Sequence, residues 1–374
     1  MSNTEKKALC LASVASHLDN FCRNDVKILQ KLGYDVTLAS NFFTNESNNS
    51  QEKINSFIDD MNVDGVHIAQ IDFSRRVRRL RTQVKSYLQL KELLTQGFDL
   101  IHCHTPICAA MTRIAARQYR KKGTKVLYTA HGFHFFTGAP IKNWLIFYPV
   151  EWICSWWTDI LITINKEDYA RASSHLHAKK TVYVPGVGID TAKFAPPPNG
   201  RYKIRKELGL ADDQIMLLSV GELNTNKNHE AVIKALHNLH NTVYVIVGSG
   251  ELEEHLKTVA KETGVDVRLT GYRTDVADFY NAADVYILPS LREGLNVSLM
   301  EAMASGLPIA CGRIRGNTDL IDEDACLFDF ASQIGTDVTN EIRKTIEYCI
   351  THRAELGQRN LENIRAFNCK STQS

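Results

Sequence analysis

Ser290-Leu-Arg-Glu-Gly-Leu-Asn-Val-Ser-Leu-Met-Glu301 carries two carboxylates, Glu293 and Glu301, with seven residues between them. The first stands on a glycine loop after the apolar run Val285–Leu288, which reads as a strand. The second falls about a turn and a half into the helix that follows. The N–H groups at such a helix start, here those of Gly294, Leu295, Asn296 and Val297, have no intrahelical acceptor and suit a phosphate. Carboxylates repel phosphate, so Glu293 and Glu301 are read as serving hydroxyl-rich groups on either side of it. A diphosphate between a ribose and a sugar has that pattern. Alone, the spacing is weak evidence, and an ordinary loop and helix-surface carboxylate would be the better reading.

Outward from this block, short apolar runs alternate with helical stretches, the pattern of parallel sheets covered by helices. In the second half the expected strands are Ile215–Val220, Val243–Val247, Val267–Leu269, Val285–Leu288 and Pro308–Ala310. In the first half they are Ala8–Val14, Asp35–Ala39, Val66–Ala69, Leu100–Cys103, Lys125–Thr129, Ile160–Ile164 and Val182–Val184. Helices are expected over Asn20–Leu32, Arg75–Leu94, Ile107–Lys122 and Lys166–His175, and an exposed loop over Asn41–Asn55. Pro185-Gly-Val-Gly-Ile-Asp190 and the prolines after it break the periodicity, so a hinge is placed there. This predicts an α/β chain of two domains, 1–187 and 188–374. Its 374 residues, 44% of them hydrophobic, suffice for two cores.

A net charge of +2 argues against a general nucleic-acid binder. Nine scattered cysteines without a C-x-x-C pair point to a reduced, cytoplasmic chain. Met1–Lys7 is polar and the apolar run after it has only strand length, so no signal peptide is expected. The most apolar region, Trp144–Trp157, contains Pro149 and Glu151 and is too short to span a bilayer. With Trp144, Tyr148, Trp152 and Trp156 it is read as a helix buried in the first core, an interfacial position being the other reading.

The block Ser290–Glu301, continued by Met300-Glu-Ala-Met-Ala-Ser-Gly-Leu-Pro308, resembles the signature of retaining glycosyltransferases of the GT-B fold, glycosyltransferase family 4 in particular. The resemblance implies two Rossmann-like domains facing each other across a cleft. It implies that Glu293 touches donor-sugar hydroxyls while Glu301 holds the nucleotide ribose. It further implies transfer of a hexose or N-acetylhexosamine from a UDP-sugar to a saccharide or lipid-linked saccharide, with no metal and no cofactor. Surface polysaccharide synthesis is the expected setting, in the cytoplasm or on the inner face of the plasma membrane. The family's last helix usually crosses back to the first domain, and the tail after Arg365 looks short for that crossing.

Gly221-Glu-Leu-Asn-Thr-Asn-Lys-Asn-His229 lies between a strand and a helix, where a phosphate loop belongs. The family pattern has an Arg after the glycine. Here Gly221 and Lys227 match, and Glu222 stands in place of the Arg. Three accounts are open: Glu222 turns away while Arg313 or Arg315 supplies the charge, the loop has slid, or the donor binds without efficient turnover. The first is preferred, with Arg315. Gly271-Tyr-Arg273 matches the nucleobase position, where Arg273 would stack on uracil. In the first domain, Tyr128-Thr-Ala-His-Gly-Phe-His134 offers His131 as the family histidine that reaches the sugar, with His134 its rival. His102 and His104 are not read as metal ligands, because side chains alternate along a strand. At the end of the stretch Ser13–His17, Ser16 and His17 replace a family glycine pair on the acceptor side.

Arg75-Arg-Val-Arg-Arg-Leu-Arg81 is expected to open a helix with Val77, Leu80, Val84 and Leu88 on one stripe. It is either a solvated helix packed on the sheet or a basic face drawn to anionic lipid. Two rival functions stay open: a homologue that only binds nucleotide sugar, and a nucleotide-sugar epimerase of the same fold.

Overall fold

The computed structural model describes residues 6–44, 46, 50–76, 78–186, 189–195, 200–330 and 338–367. The chain divides into two compact units, Met1–Val184 and Pro185–Ser374. Among the described residues of the first unit, β1 (Lys6–Val14), β2 (Tyr34–Asn41), β3 (His67–Gln70), β4 (Leu100–His104), β5 (Lys125–Ala130), β6 (Ile160–Thr163) and β7 (Lys180–Tyr183) form one parallel sheet. Its order is β3-β2-β1-β4-β5-β6-β7. The strands read as continuous apolar runs because both faces are covered. Leu9, Leu11, Ile101, Val126 and Leu161 enter one core, and Ala8, Cys10, Val36 and Leu38 enter the other. The helices Leu80–Leu94, Pro106–Arg120 and Ile141–Ser155 lie in that order along the first of these faces.

Several helices depart from expectation. Asn20–Leu32 is two helices, Ala15–Phe21 and Arg23–Lys31, broken at Cys22. The expected loop Asn41–Asn55 already contains the start of a helix, Gln51–Val63, whose N–H at Lys53 is taken by the Ser50 hydroxyl. The basic run does not open a helix, which begins only at Leu80. Glu46 explains why: it accepts from the Arg75 N–H at 2.6 Å and pairs with Arg79 at 3.3 Å, holding the run outside the helix. Val77 lies outside the described residues. The stripe Leu80, Val84 and Leu88 is exposed, while Ser86, Leu90 and Leu94 face the core.

The reading of Trp144–Trp157 as a buried helix is also overturned. Trp144, Phe147, Tyr148 and Cys154 pack inward, but Ile141, Leu145, Ile146, Val150, Trp152, Ile153 and Trp156 are exposed. No described helix is long and apolar enough to cross a membrane.

The second unit repeats the architecture with β8 (Ile215–Val220), β9 (Thr242–Val247), β10 (Val267–Leu269), β11 (Val285–Leu288), β12 (Ile309–Gly312) and a short β13 (Leu327–Phe328) that the sequence reading lacked. All pair in parallel, in the order β10-β9-β8-β11-β12-β13. The helix Arg353–Asn363 packs within this unit on the helix Val297–Ala304. Of the expected hinge, Val187 and Gly188 lie outside the described residues, as do 368–374, where a crossing would continue. Ile189 is tied to the unit by its N–H, which donates to the Phe367 carbonyl. In each sheet the strand order reverses once, between β1 and β4 and between β8 and β11. Loops at the carboxyl ends of those strands diverge and leave room for a ligand.

Candidate active site

In the second unit the marked residues gather at the β8/β11 switch point. Gly221 follows β8, and a Cβ there would meet the Lys227 side chain at 3.1 Å. The loop is built on glycines that the sequence reading passed over, Gly248-Ser249-Gly250 after β9. A Cβ on Gly248 would lie 1.8 Å from the Gly221 carbonyl oxygen, and one on Gly250 2.4 Å from that of Leu223. Two glycines directly after a buried strand were the available signal. Leu223 donates its N–H to the Ser249 carbonyl, which joins the two loops.

Lys227 is then carried toward β11. Asn226 binds both sides of the facing loop, its carbonyl accepting from the Leu291 N–H at 2.8 Å and its amide donating to the Arg292 carbonyl at 3.0 Å. Lys227 Nζ meets Glu293 Oε1 at 2.7 Å, with both side chains largely buried. Arg315 reaches the same loop from the end of β12, its Nε donating to the Glu293 carbonyl at 3.3 Å. Gly316 allows this approach. Its φ is +82°, and a Cβ there would lie 2.1 Å from the Gly294 oxygen. The structure thus brings Gly221, Lys227, Glu293, Gly294 and Arg315 together.

The helix Val297–Ala304 begins beside them. Asn296 caps it, its Oδ1 accepting from the Leu299 N–H at 3.0 Å. That cap uses one donor of the first turn, and the remaining first-turn donors have no intrahelical acceptor. Glu301 lies on this helix, and its Oε2 accepts from the Tyr280 hydroxyl at 2.8 Å. Burial raises the Glu301 carboxyl above its usual range, against the opposing pull of Tyr280 and Lys193. Tyr280 and Lys193 were not singled out from sequence.

Three residues stand apart from this group. Arg273 is clamped by Asp275 at 2.8 Å and Glu207 at 2.7 Å, with its guanidinium over Phe279. Any stacking on a base would start from that clamp. Glu222 has an exposed side chain. Arg313 is turned to Asp324 and Asp329.

In the first unit the β1/β4 switch point is lined by histidines. His104 Nδ1 and His131 Nε2 lie 3.2 Å apart, and the His17 ring stands edge-on to His131. His134 leaves this group and packs on Phe147. The alternation holds, but it takes only Cys103 away from the two histidines. Residues two apart on a strand share a face, and the two rings lie 4.2 Å apart with Cys103 on the other side. His102 Nε2 bonds Thr129 Oγ1 at 2.8 Å, and Asp25 lies 3.5 Å from its Nδ1 and 3.8 Å from His104 Nε2. Burial lowers all four imidazoles, His17 to about 4, so they are neutral at pH 7. Candidate ligand atoms of His17, His104 and His131 lie within 4.8 Å of one another, and those of Cys22, Asp25 and His104 form a second such group. His104 belongs to both groups, with its Nδ1 toward His131 and its Nε2 toward Asp25. Ser13 binds Thr105 Oγ1 through both its N–H and its hydroxyl, and Thr105 has a φ of +58°, a strained value for a β-branched residue.

Comparison with known proteins agrees with this architecture. Residues 19–193 match the model of "Glycosyltransferase Family 4", and residues 200–356 match "Glycosyl transferases group 1". EpsD of Bacillus subtilis (strain 168), described as a glycosyltransferase, is 36% identical over 328 residues, 84% of this chain and 81% of that protein. An Escherichia coli UDP-Gal:alpha-D-GlcNAc-diphosphoundecaprenol alpha-1,3-galactosyltransferase is 32% identical over 255 residues, 64% of this chain and 65% of that one. Among solved structures, Anabaena Alr3699/HepE in complex with UDP superposes with a TM-score of 0.75 at 16% identity, covering 98% of this chain and 97% of its own. WaaG, from lipopolysaccharide biosynthesis, does so with a TM-score of 0.70 at 17% identity, covering 98% of each chain.

Proposed function

Because the chain belongs to glycosyltransferase family 4, with its GT-B fold, we propose that it moves a hexose or N-acetylhexosamine from a UDP-sugar to a lipid-linked saccharide, with retention of configuration. The observation that carries this reading is the Lys227–Glu293 pair at 2.7 Å, beside Arg315 and a capped helix start. A cation for the diphosphate and a carboxylate for sugar hydroxyls occupy one spot, at the switch point where α/β sheets bind ligands. UDP in the HepE structure and the diphosphoundecaprenol substrate named for the Escherichia coli relative support the donor and acceptor classes. Its setting would be surface polysaccharide synthesis at the inner face of the plasma membrane.

The step this site suits is a front-face displacement. As the bond from the anomeric carbon to the diphosphate breaks, Lys227, Arg315 and the helix N–H groups stabilise the departing charge. The diphosphate oxygen takes the acceptor hydroxyl proton, and that hydroxyl oxygen bonds the anomeric carbon on the face just vacated. Within the second unit, Glu293 holds the sugar and Glu301 the ribose. The protein then contributes position and charge, with no covalent intermediate. The reaction uses no metal in this reading.

The test is to incubate the protein with UDP-sugars, with and without a membrane extract, and follow UDP release and sugar identity. Acceptor-dependent UDP release with a glycosylated lipid product is expected. Sugar interconversion without acceptor would identify an epimerase instead. Donor binding without either reaction would identify a binding homologue, the reading that Glu222 suggests.

A further inference from the structure

We propose that the helix Ile141–Ser155, with the basic recess at its carboxyl end, is a docking face for the surface of an anionic phospholipid bilayer. The helix is apolar almost all round. Its charged residues are Lys142 and Glu151, and Glu151 is buried against Arg113 at 2.8 Å. An all-apolar helix belongs in a core or in lipid, yet here only one side is covered. Trp144, Phe147 and Tyr148 pack on the core, while Ile141 is 76% exposed, Leu145 72%, Ile146 54% and Ile153 47%. The exposed positions 141, 145, 152 and 156 recur at helical spacing, with 146, 150 and 153 alongside, so they make one continuous ridge. The outward side of this helix carries no carboxylate.

Charge and aromatic placement decide what covers that ridge. Where it ends, a recess of about 620 Å³ is lined by Arg117, Arg120, Lys121, Trp156, Trp157 and Lys179. Asp159 pairs with Arg120 and Lys179 at 2.9 Å each. No described carboxylate lies at ion-pair distance from Arg117 or Lys121. Apolar residues flanked by tryptophans and uncompensated cations fit the acyl and headgroup layers of a bilayer whose lipids are negatively charged. The helix Leu80–Leu94, on the same side of the sheet, adds the exposed Leu80, Val84 and Leu88. A helix of 15 residues lies along such a surface and does not cross it. Docking would bring the enzyme to the lipid-linked acceptor, and in that purpose the inference rests on the proposed function.

The experiment is vesicle co-sedimentation of the whole chain, with phosphatidylcholine alone and with added phosphatidylglycerol, at low and high salt. Wild type is expected to pellet with the anionic vesicles. The combined Leu145→Glu, Ile146→Glu and Ile153→Glu variant should lose binding by about tenfold or more. Arg117→Glu with Lys121→Glu should lose only the salt-sensitive, phosphatidylglycerol-dependent part. Should the triple variant melt abnormally, quenching of wild-type tryptophan fluorescence by brominated lipid decides: quenching is expected, and its absence overturns the proposal. A folded triple variant that pellets like wild type also overturns it. So does a wild-type dimer, seen by analytical ultracentrifugation, that the triple variant dissociates while pelleting is unchanged, since the ridge would then join two copies. Transfer to a water-soluble short-chain acceptor separates the two readings. The variants should keep wild-type rates there, whereas wild type that docks but transfers to no acceptor would refute the proposed function and leave the docking face standing.

Discussion

The family pattern has an Arg where this chain has Glu222, and on the proposed reading Arg315 supplies that positive charge. Glu222 is exposed, and Arg315 sits on the Glu293 loop. Arg315→Ala is expected to cost about 2–4 kcal/mol of transition-state stabilisation, the scale for one oxyanion donor, while Glu222→Ala should be nearly silent. Steady-state kcat/KM of the two variants checks this, and an inactive Glu222→Ala would give that carboxylate a direct role. Glu301 carries a second, two-sided expectation. Its carboxyl is raised by burial, so the folded state holds its proton to higher pH than the unfolded chain does. Its contribution to stability is then full below the unfolded value and is lost as pH rises through the folded one. Glu301→Gln should therefore melt above wild type at pH 8 and match it near pH 4. The same change should weaken UDP binding by about tenfold to a hundredfold, through loss of a charged hydrogen bond. Thermal melts at both pH values and calorimetric titration with UDP report the two effects separately.

At the scale of elements, the parallel strands were legible because burial on both faces leaves little but Val, Ile, Leu and Ala in them. The run Thr242–Val247, wholly buried, is the clearest case. Helices were less legible where their inward face is narrow. Gln51–Val63 buries only Ile54, Phe57 and Met61, so its polar start, through Asn55, read as loop. The Arg75 run looked helical because helical spacing is local, whereas Glu46, which holds it out of the helix, arrives from 29 residues away. Composition could not separate a buried apolar helix from one exposed along a side, which is why Ile141–Ser155 was misplaced. That helix is anchored by Glu151 and Arg113, a buried pair close in distance with Arg113 also over Tyr128. Glu151→Gln leaves Arg113 uncompensated and should cost about 3–5 kcal/mol of stability, measured by urea denaturation. An unchanged midpoint would mean the pair is dispensable. In the second unit, Gly316→Ala forces a side chain into the Gly294 carbonyl at a left-handed φ. It should lower UDP affinity at least as much as Arg315→Ala, because it separates the whole β12 loop from the Glu293 loop.

Across the whole molecule, burial of neutral imidazoles sets the response to acid. The four histidines of the first unit and His229 of the second, the latter lowered to about 3, all protonate later in the folded state than in the unfolded chain. Their contribution is complete above the ordinary imidazole range and is lost as pH falls below it, at up to about 1.4 kcal/mol per pH unit for each. Stability should thus begin to fall below about pH 6.5, well above the range where carboxylates titrate. Denaturation midpoints at pH 7.5, 6 and 5 would show it, and a midpoint flat down to pH 5 would contradict the buried, neutral assignment. The Lys227–Glu293 contact has a last consequence, for the catalytic cycle on the proposed reading. Each group already has a counter-ion, so the donor enters by partner exchange: diphosphate replaces glutamate on the lysine, and sugar hydroxyls replace lysine on the glutamate. After transfer the sugar is gone, Glu293 has lost its new partner, and Lys227 is the nearest replacement. The re-forming pair competes with spent UDP for the lysine, so the enzyme carries its own means of product expulsion and should suffer little product inhibition.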